Sequence, residues 1–480
     1  MFLGIDIGTS AVKACVLDAE EGVKATASAP LGIRHPFEGA SEQHPQDWWV
    51  ATCKAVGSID ARLRDAVRGI GLSGQMHGAV VLDKSLSPIR PAILWNDARA
   101  TRECEELVQY APSIGQVTGV YPMAGFTAPK LLWLSKNEPE THARIAHVLL
   151  PKDFVGLKLH GNCNTDPSDA AGTSWLDQTN LTWADAICSV SATDPNWLPP
   201  IKFGSDIAGH LRSEAASELG LKSSIPVAAG AGDAAAGAAG IGAVENADGF
   251  ISLGTSGQLF VTTDAYRPNI ESRIHAYAHT LPGTWFQMAA MLNGARPMAW
   301  LAELLGTPIQ DLLRFAETAA EGPIFLPYLT GERTPHGDSD IRAGFFGLSE
   351  STNPGSLMRS VVEAIAFSFA DAAHALENAG TSVDQLLAIG GGTRSDFLMQ
   401  TIASVMGCRL GRSTDSDVGP ALGAARLAQL ATDGGSVSDI MAKPTVETWF
   451  EPNAEQNEAL QQKLIAYRAL YPALKAVPMP

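Results

Sequence analysis

Two stretches of the chain share one alternation of apolar and polar positions. Ile5-Asp6-Ile7-Gly8-Thr9-Ser10 leads into Ala14-Cys15-Val16-Leu17-Asp18, and Ile251-Ser252-Leu253-Gly254-Thr255-Ser256-Gly257 leads into Leu259-Phe260-Val261-Thr262. Each reads as strand, glycine turn with hydroxyls, strand, which is a β-hairpin tipped by Gly-Thr-Ser. Gly254 follows Gly8 by 246 positions, about half of the 480 residues. Length alone suggests about three domains. The repeat favours two, with residues 1–244 and 245–480 as the expected halves.

Helical periodicity supports the division. After Pro45, Trp49, Cys53, Val56 and Leu63 recur at helical spacing and predict an amphipathic helix that starts at the proline. Leu357, Val361, Ile365 and Phe369 recur every four residues, and Ala372 and Leu376 continue that stripe. Short apolar strands running into glycines follow these helices, at Gly69–Gly74 and Leu386–Gly392. Each half also holds a helix of small residues opened by glycine and acid, Gly232–Gly240 and Asp417–Ala425. Such helices let backbones cross closely, as expected where two domains hinge.

Composition narrows the function classes. With 45% hydrophobic and 18% charged residues the chain has the makings of a large core and is not disordered. Its net charge of −17 repels phosphate backbones and anionic lipid, so neither nucleic acid nor a membrane is an expected partner. A small anionic ligand stays open, because glycine-turn N–H groups and a metal ion can hold a phosphate locally. The six scattered cysteines, with no CxxC spacing, read as reduced thiols of a cytoplasmic protein. The opening Met1–Asp6 lacks the basic region of a secretory leader. The most apolar long stretch, Ile225–Val244, is mostly Ala and Gly and contains Asp233, which suits a buried helix better than a membrane span.

Several residues are candidates for chemistry. Asp6 ends a strand against Gly8-Thr9-Ser10, where a carboxylate beside phosphate-facing amides suits Mg²⁺; in the second copy Ser252 takes its place. The other reading is an exposed turn acid on a common hairpin. Asp233 opens a small-residue helix, where it reads either as an N-cap or as a general base facing a cleft. Gly230-Ala231-Gly232-Asp233-Ala234-Ala235 imitates a dinucleotide loop but puts an acid where pyrophosphate would lie, in a chain rich in hairpins. A GxxxxGK[ST] phosphate loop is absent. Gln75-Met76-His77 can line a polar pocket or lie in a solvated turn. Trp95-Asn96-Asp97-Ala98-Arg99 offers an aromatic plate and a fork of polar groups for a polyol, or a helix start. His275 and His279 are four apart in a β-prone segment without a third ligand, so zinc is not expected.

These motifs resemble, almost end to end, the FGGY family of carbohydrate kinases. The resemblance rests on Gly4–Ser10, Gly74-Gln75-Met76-His77-Gly78, Pro91–Asp97, Gly125–Trp133, Leu150-Pro151-Lys152-Asp153, Ser168–Thr173, Leu253–Gly257, Gly331-Glu332-Arg333-Thr334-Pro335-His336 and Asp417–Ala425. It implies an α/β protein of two actin-like ATPase domains, each with a ribonuclease-H-like core, flanking a deep cleft where ATP and sugar meet. It further implies that Asp6 manages Mg²⁺ through water and that Asp233 takes the proton of the sugar hydroxyl. Gln75, Met76, His77, Trp95 and Asp97 would surround the sugar. ATP would be met by Gly8, Thr9, Ser10, Lys13, Gly254 and Thr255 at its phosphates, and by Gly391 and Gly392 on the adenosine side. The Gln-Met-His tripeptide favours D-xylulose over glycerol as acceptor, phosphorylated at its 5-hydroxyl. The enzyme is expected to be cytoplasmic, and its assembly, a homodimer among the options, is left open by the sequence.

Three positions depart from the family pattern. Ala234 stands where Asn usually follows the catalytic acid, which opens the choice of sugar to ribulose or a related polyol. Ala11 replaces a common Gly in the first hairpin. Ser356 replaces a usual acid or amide. Two rival classes are an NAD-dependent oxidoreductase built on Gly230–Ala235, and a non-catalytic actin-like ATPase or sugar sensor.

Overall fold

The computed structural model describes residues 1–413 and 419–477. Asp417 and Val418, which open the second small-residue helix in the sequence, lie outside the described residues.

The first hairpin forms as expected, with β1 (Phe2–Ile7) antiparallel to β2 (Ala11–Asp18), and β3 (Gly22–Pro30) continues the meander. On the other side of β1 lies β4 (Gly69–Gly74), now parallel to it. Two further strands complete this sheet, β5 (Ile207–His210) and β6 (Pro226–Ala228), giving the order β3-β2-β1-β4-β6-β5. The short β7 (Ala231–Gly232) also pairs with β4.

The second hairpin repeats the plan. Antiparallel β8 (Gly249–Leu253) and β9 (Gly257–Thr263) are extended by β10 (His275–Ala278) and β11 (Trp285–Met291). On the far side of β8 come parallel β12 (Gln385–Ile389) and β13 (Arg409–Ser413), then antiparallel β14 (Val446–Phe450). The order β11-β9-β8-β12-β13 therefore matches β3-β2-β1-β4-β6, an antiparallel three-strand meander followed by two parallel strands. The sequence reading stressed hairpins. Parallel crossovers matter equally here, and their helices cover the sheets.

Those helices include α1 (Pro45–Gly57), with Pro45 in its first turn and Trp48, Trp49, Thr52, Ala55 and Val56 buried. Leu63, placed in the same helix by periodicity, falls in a separate short helix, Ala61–Asp65. The next helices named here are α2 (Thr127–Asn137), α3 (Pro151–His160), α4 (Asp233–Gly240) and α5 (Pro354–Glu377). In α5 the expected stripe is buried, except that Leu357 is only partly so. Ser356, without a role in the sequence, closes a capping box with Asn353 at the start of α5.

The second small-residue helix, α6 (Gly419–Asp433), belongs to the second half of the chain but rests on the first sheet and on α4. A Cβ on Gly423 would lie 1.8 Å from the Ala236 carbonyl oxygen, and one on Gly4 would lie 1.8 Å from that of Ala421. Glycine at these crossings is required by contact between backbones. Arg426 donates from α6 to the carbonyls of Ala239 and Gly240, both at 3.0 Å, and so closes the C-terminal end of α4. The N-terminal end of α4 is left to Asp233.

Candidate active site

A cavity of about 500 Å³ opens where the two halves of the chain meet. The first half lines it with Met76, His77, Trp95, Phe126 and Asp233, and the second with Gln258, His275 and Arg333.

Strand register brings the two candidate acids together. Asp6 on β1 is level with Ser73 on β4, and Ser73 is level with Ala231 on β7. Two residues after Ala231 the chain turns into α4 at Asp233. Two strand spacings, about 10 Å, separate β1 from β7. Burial pushes the Asp233 carboxyl up to about 7, and the charge of Asp6 adds to the rise. The N–H of Ala234, 2.8 Å from Asp233 Oδ1, opposes it. Burial likewise raises Asp6 to about 6, against the Ser73 hydroxyl and the Lys13 ammonium. Two carboxyls held near neutrality at one strand end are the electrostatic mark of a working site. Asp6 Oδ1 is buried and has no hydrogen-bond partner among the described residues, so its lone pairs are free for a hydrated cation.

His77 is locked in an uncommon geometry. Its φ is 70°, and its carbonyl accepts from Lys130 Nζ at 2.8 Å and from Thr127 Oγ1 at 3.2 Å, both on α2. The ring stacks on Phe126 at 4.4 Å. Burial lowers its pKa to about 3, so the imidazole is neutral. The Gly172 carbonyl lies 2.5 Å from Nδ1 and can only accept. Nδ1 therefore carries the proton, and Nε2 keeps a lone pair for a hydroxyl donor.

Two residues expected around the sugar are engaged by other parts of the chain. Gln75 does not line the cavity; its Oε1 accepts from Thr9 Oγ1 at 3.0 Å and its Nε2 donates to Gln43 Oε1 at 3.0 Å. It braces the first hairpin from below. Asp97 reaches the cavity wall, but its carboxylate is engaged by the Ser41 N–H at 2.7 Å and by Arg99 Nε and Nη2 at 2.9 and 2.8 Å. It anchors a loop and has little left to offer a sugar. Trp95 keeps its place on the wall, with Nε1 donating to Thr9 Oγ1 at 2.9 Å. The Thr9 hydroxyl thus links hairpin to pocket, and the Gly8 N–H, expected to face phosphate, instead closes the turn on the Ala11 carbonyl at 3.1 Å.

At the other hairpin, the carbonyls of Gly254 and Thr255 accept from Ala295 and Gly294 at 2.7 and 3.1 Å, which holds the turn while Thr255 stays exposed. Gly391 and Gly392 begin a 3-10 turn after β12, and a Cβ on Gly392 would lie 2.9 Å from the Cβ of Leu253. This turn therefore abuts the second hairpin. Ser10 and Lys13 are exposed beside the first. The loop read as a dinucleotide mimic serves packing instead. A Cβ on Gly230 would meet the Leu72 carbonyl oxygen at 2.1 Å.

Motif residues given no role in the sequence form a buried brace under the site. Lys152 Nζ lies 2.5 Å from Asp153, 2.8 Å from Asp166 and 3.3 Å from Asp169, all of them buried. Ser168 Oγ accepts from the N–H of Gly232, just before Asp233, at 3.1 Å. Gln43, Phe126, Gln258, His275 and Arg333 were also missed as site residues. His275 was visible only as half of a rejected zinc pair, and Arg333 only inside a family motif. Among the described residues, no cluster of three or more His, Cys, Asp or Glu side chains is arranged to hold a metal.

Two ribonuclease-H-like sheets, two glycine-tipped hairpins and a polar cavity with a near-neutral carboxyl define an actin-like phosphotransferase. The signature of the FGGY family of carbohydrate kinases matches the chain twice, its N-terminal domain over residues 1–240 and its C-terminal domain over 249–432. The chain belongs to this family and is a sugar kinase that uses ATP. A xylulose kinase of Escherichia coli (strain K12) is 40% identical over 480 residues, covering 99% of each chain. The crystal structure of a xylulose kinase from Brucella ovis superposes with a TM-score of 0.96 at 41% identity, over 99% of this chain and 100% of that one. A gluconate kinase from Lactobacillus acidophilus superposes at 0.92 with 26% identity, over 99% and 98%. Among the described residues no helix is long and apolar enough to cross a membrane.

Proposed function

We propose that the protein transfers the γ-phosphoryl group of ATP to the 5-hydroxyl of D-xylulose, giving D-xylulose 5-phosphate and ADP. The observation that carries the reading is Asp233, a carboxyl raised to about 7 on the wall of a cavity otherwise suited to a neutral polyol. The Escherichia coli and Brucella ovis relatives support the choice of sugar. Ala234 and the gluconate kinase neighbour make another ketopentose or a related acceptor the alternative.

Phosphoryl transfer asks the protein for alignment and charge neutralisation. Backbone N–H groups of Thr9, Ser10, Gly254 and Thr255 would hold the β- and γ-phosphates, with the Lys13 ammonium beside them, while Gly8 shapes the first turn and its own N–H stays on the Ala11 carbonyl. Gly391 and Gly392 would face the adenosine. The unpartnered oxygen of Asp6 fits Mg²⁺ held through water, and the ion would neutralise phosphate charge when bound. Asp233, ionised, accepts the proton of the attacking hydroxyl, a contribution of about 10²–10⁴-fold. His77 Nε2 accepts from a second hydroxyl and orients the sugar. Residues 1–244 would thus carry the base, the first hairpin and one wall of the sugar pocket, and 245–480 the facing wall with Gln258, His275 and Arg333, the second hairpin and the adenosine side. Six free cysteines support a reducing, cytoplasmic location.

ADP release measured across pentuloses, hexuloses, alditols and aldonates tests the proposal. D-xylulose should give the highest kcat/KM. Preference for another sugar rejects the substrate, and ATP hydrolysis indifferent to every sugar rejects the sugar transfer itself.

A further inference from the structure

The cavity wall contains one cation that the reaction as described does not use. Arg333 lines the cavity from the second half of the chain; among the described residues its guanidinium makes no hydrogen bond and no salt bridge, and the Glu332 carboxylate attracts it only through space. Its backbone is held on both sides. Glu332, buried next to it, accepts from the N–H groups of Leu292 at 2.7 Å and Arg333 at 2.8 Å, and from Asn293 Nδ2 at 3.1 Å. Thr334 donates its N–H to the Ala290 carbonyl at 3.2 Å and its hydroxyl to the Arg273 carbonyl at 3.2 Å. Neighbouring polar groups fix the loop, and the guanidinium is the group left over.

Arg333 reaches the cavity from the second half of the chain, whereas Asp233 reaches it from the start of α4 in the first. The charge of Arg333 bears on the rings of His77 and His275, helping to keep both neutral, whereas the carboxyl of Asp233 feels Asp6. Asp97 is matched with Arg99, and the Glu332 carboxylate, which attracts Arg333 through space, is held by the donors above and not by the guanidinium. A guanidinium offers five donors and no acceptor, in a planar fork. The end of a ketose far from its phosphorylated hydroxyl has a carbonyl oxygen next to a hydroxyl oxygen. That pair suits the fork.

We infer that Arg333 is a specificity-determining residue that binds the non-reacting, carbonyl-bearing end of the acceptor through paired hydrogen bonds to adjacent oxygens. The inference rests on the ketose reading above and deepens it. Contact with a part of the substrate that does not change in the reaction binds ground and transition states alike, so its loss raises KM more than it lowers kcat.

The test is steady-state kinetics of the full-length wild type, Arg333→Met and Arg333→Lys with D-xylulose and with its alditol, xylitol. ADP binding and thermal melting serve as folding controls. Removing a charge-assisted pair should raise the KM for D-xylulose about 10- to 100-fold in Arg333→Met. kcat should change less than about threefold, since the contact is uniform. The preference for ketose over alditol should shrink with it, and Arg333→Lys, which keeps charge without the fork, should fall between. An unchanged KM and unchanged ketose-to-alditol ratio in a folded Arg333→Met overturns the inference. So does a loss confined to kcat, which would place Arg333 at the phosphoryl group. Wild-type turnover alone reports on the choice of substrate, and the variant-to-wild-type ratio alone reports on Arg333, so the two failures are distinguishable.

Discussion

Replacing Asp233 with Asn keeps the shape of the side chain and removes both its charge and its basicity. Turnover should fall about 10²–10⁴-fold, the usual contribution of a positioned base. Stability should move the other way. Asp233 is raised from 3.8 to about 7 by burial and by Asp6, so the folded protein binds its proton more tightly than the unfolded chain does. Below pH 3.8 the carboxyl is protonated in both states and contributes nothing to pH dependence. As pH rises towards 7 the unfolded state ionises freely and the folded state is penalised, until above 7 the full penalty is present. At about 1.36 kcal/mol per tenfold, that penalty approaches about 4 kcal/mol, an upper bound because water at the cavity mouth screens the charge. Asp233→Asn should therefore be more stable than wild type in urea unfolding at pH 8, and the advantage should narrow at pH 5. Wild-type turnover by this variant refutes the base assignment. An unfolding midpoint that tracks wild type at both pH values refutes the electrostatic argument.

Other consequences follow from the same geometry. In the wild type, kcat/KM should rise with pH through about 7 as Asp233 ionises, and an activity level from pH 5 to 8 would contradict this. Asp6→Ala should lower activity and shift the Mg²⁺ titration of the rate to higher concentration; an unchanged titration counts against its metal role. Lys152→Met leaves three buried carboxyls without their cation and should cost about 3–5 kcal/mol in denaturant unfolding. Gly423→Ala puts a Cβ 1.8 Å from the Ala236 carbonyl and should cost about 1–3 kcal/mol while displacing the helix that carries Asp233. Wild-type stability and rate there would show that α4 and α6 can separate freely.

What the sequence revealed was local. The Gly-Thr-Ser hairpins, the apolar stripe of Leu357–Leu376 and the small-residue helix from Asp233 are written in contiguous residues, and each recurs in the structure. Asp6 and Asp233 were also visible, because an acid beside a glycine turn and an acid at a helix start are short-range signals. Contacts between distant segments were not visible. Nothing near Asp97 marks Ser41 as its partner, and nothing near Thr9 shows that Gln75 and Trp95 share its hydroxyl. A glutamine between two glycines looked like a pocket residue because its true partner, Gln43, lies 32 positions away. Periodicity carried the first helix too far, since Leu63 keeps the spacing of α1 beyond the turn at Ser58. α6 crosses from the second half onto the first sheet for a reason that contact alone reveals, the fit of Gly4 and Gly423 against neighbouring backbone.

Phosphorus NMR of the product formed from ATP and D-xylulose tests the central claim most directly. The account predicts one new monoester resonance coupled to the two protons of the terminal carbon next to C4, in step with ADP formation. A resonance on the other terminal carbon, or inorganic phosphate in place of any ester, would contradict it.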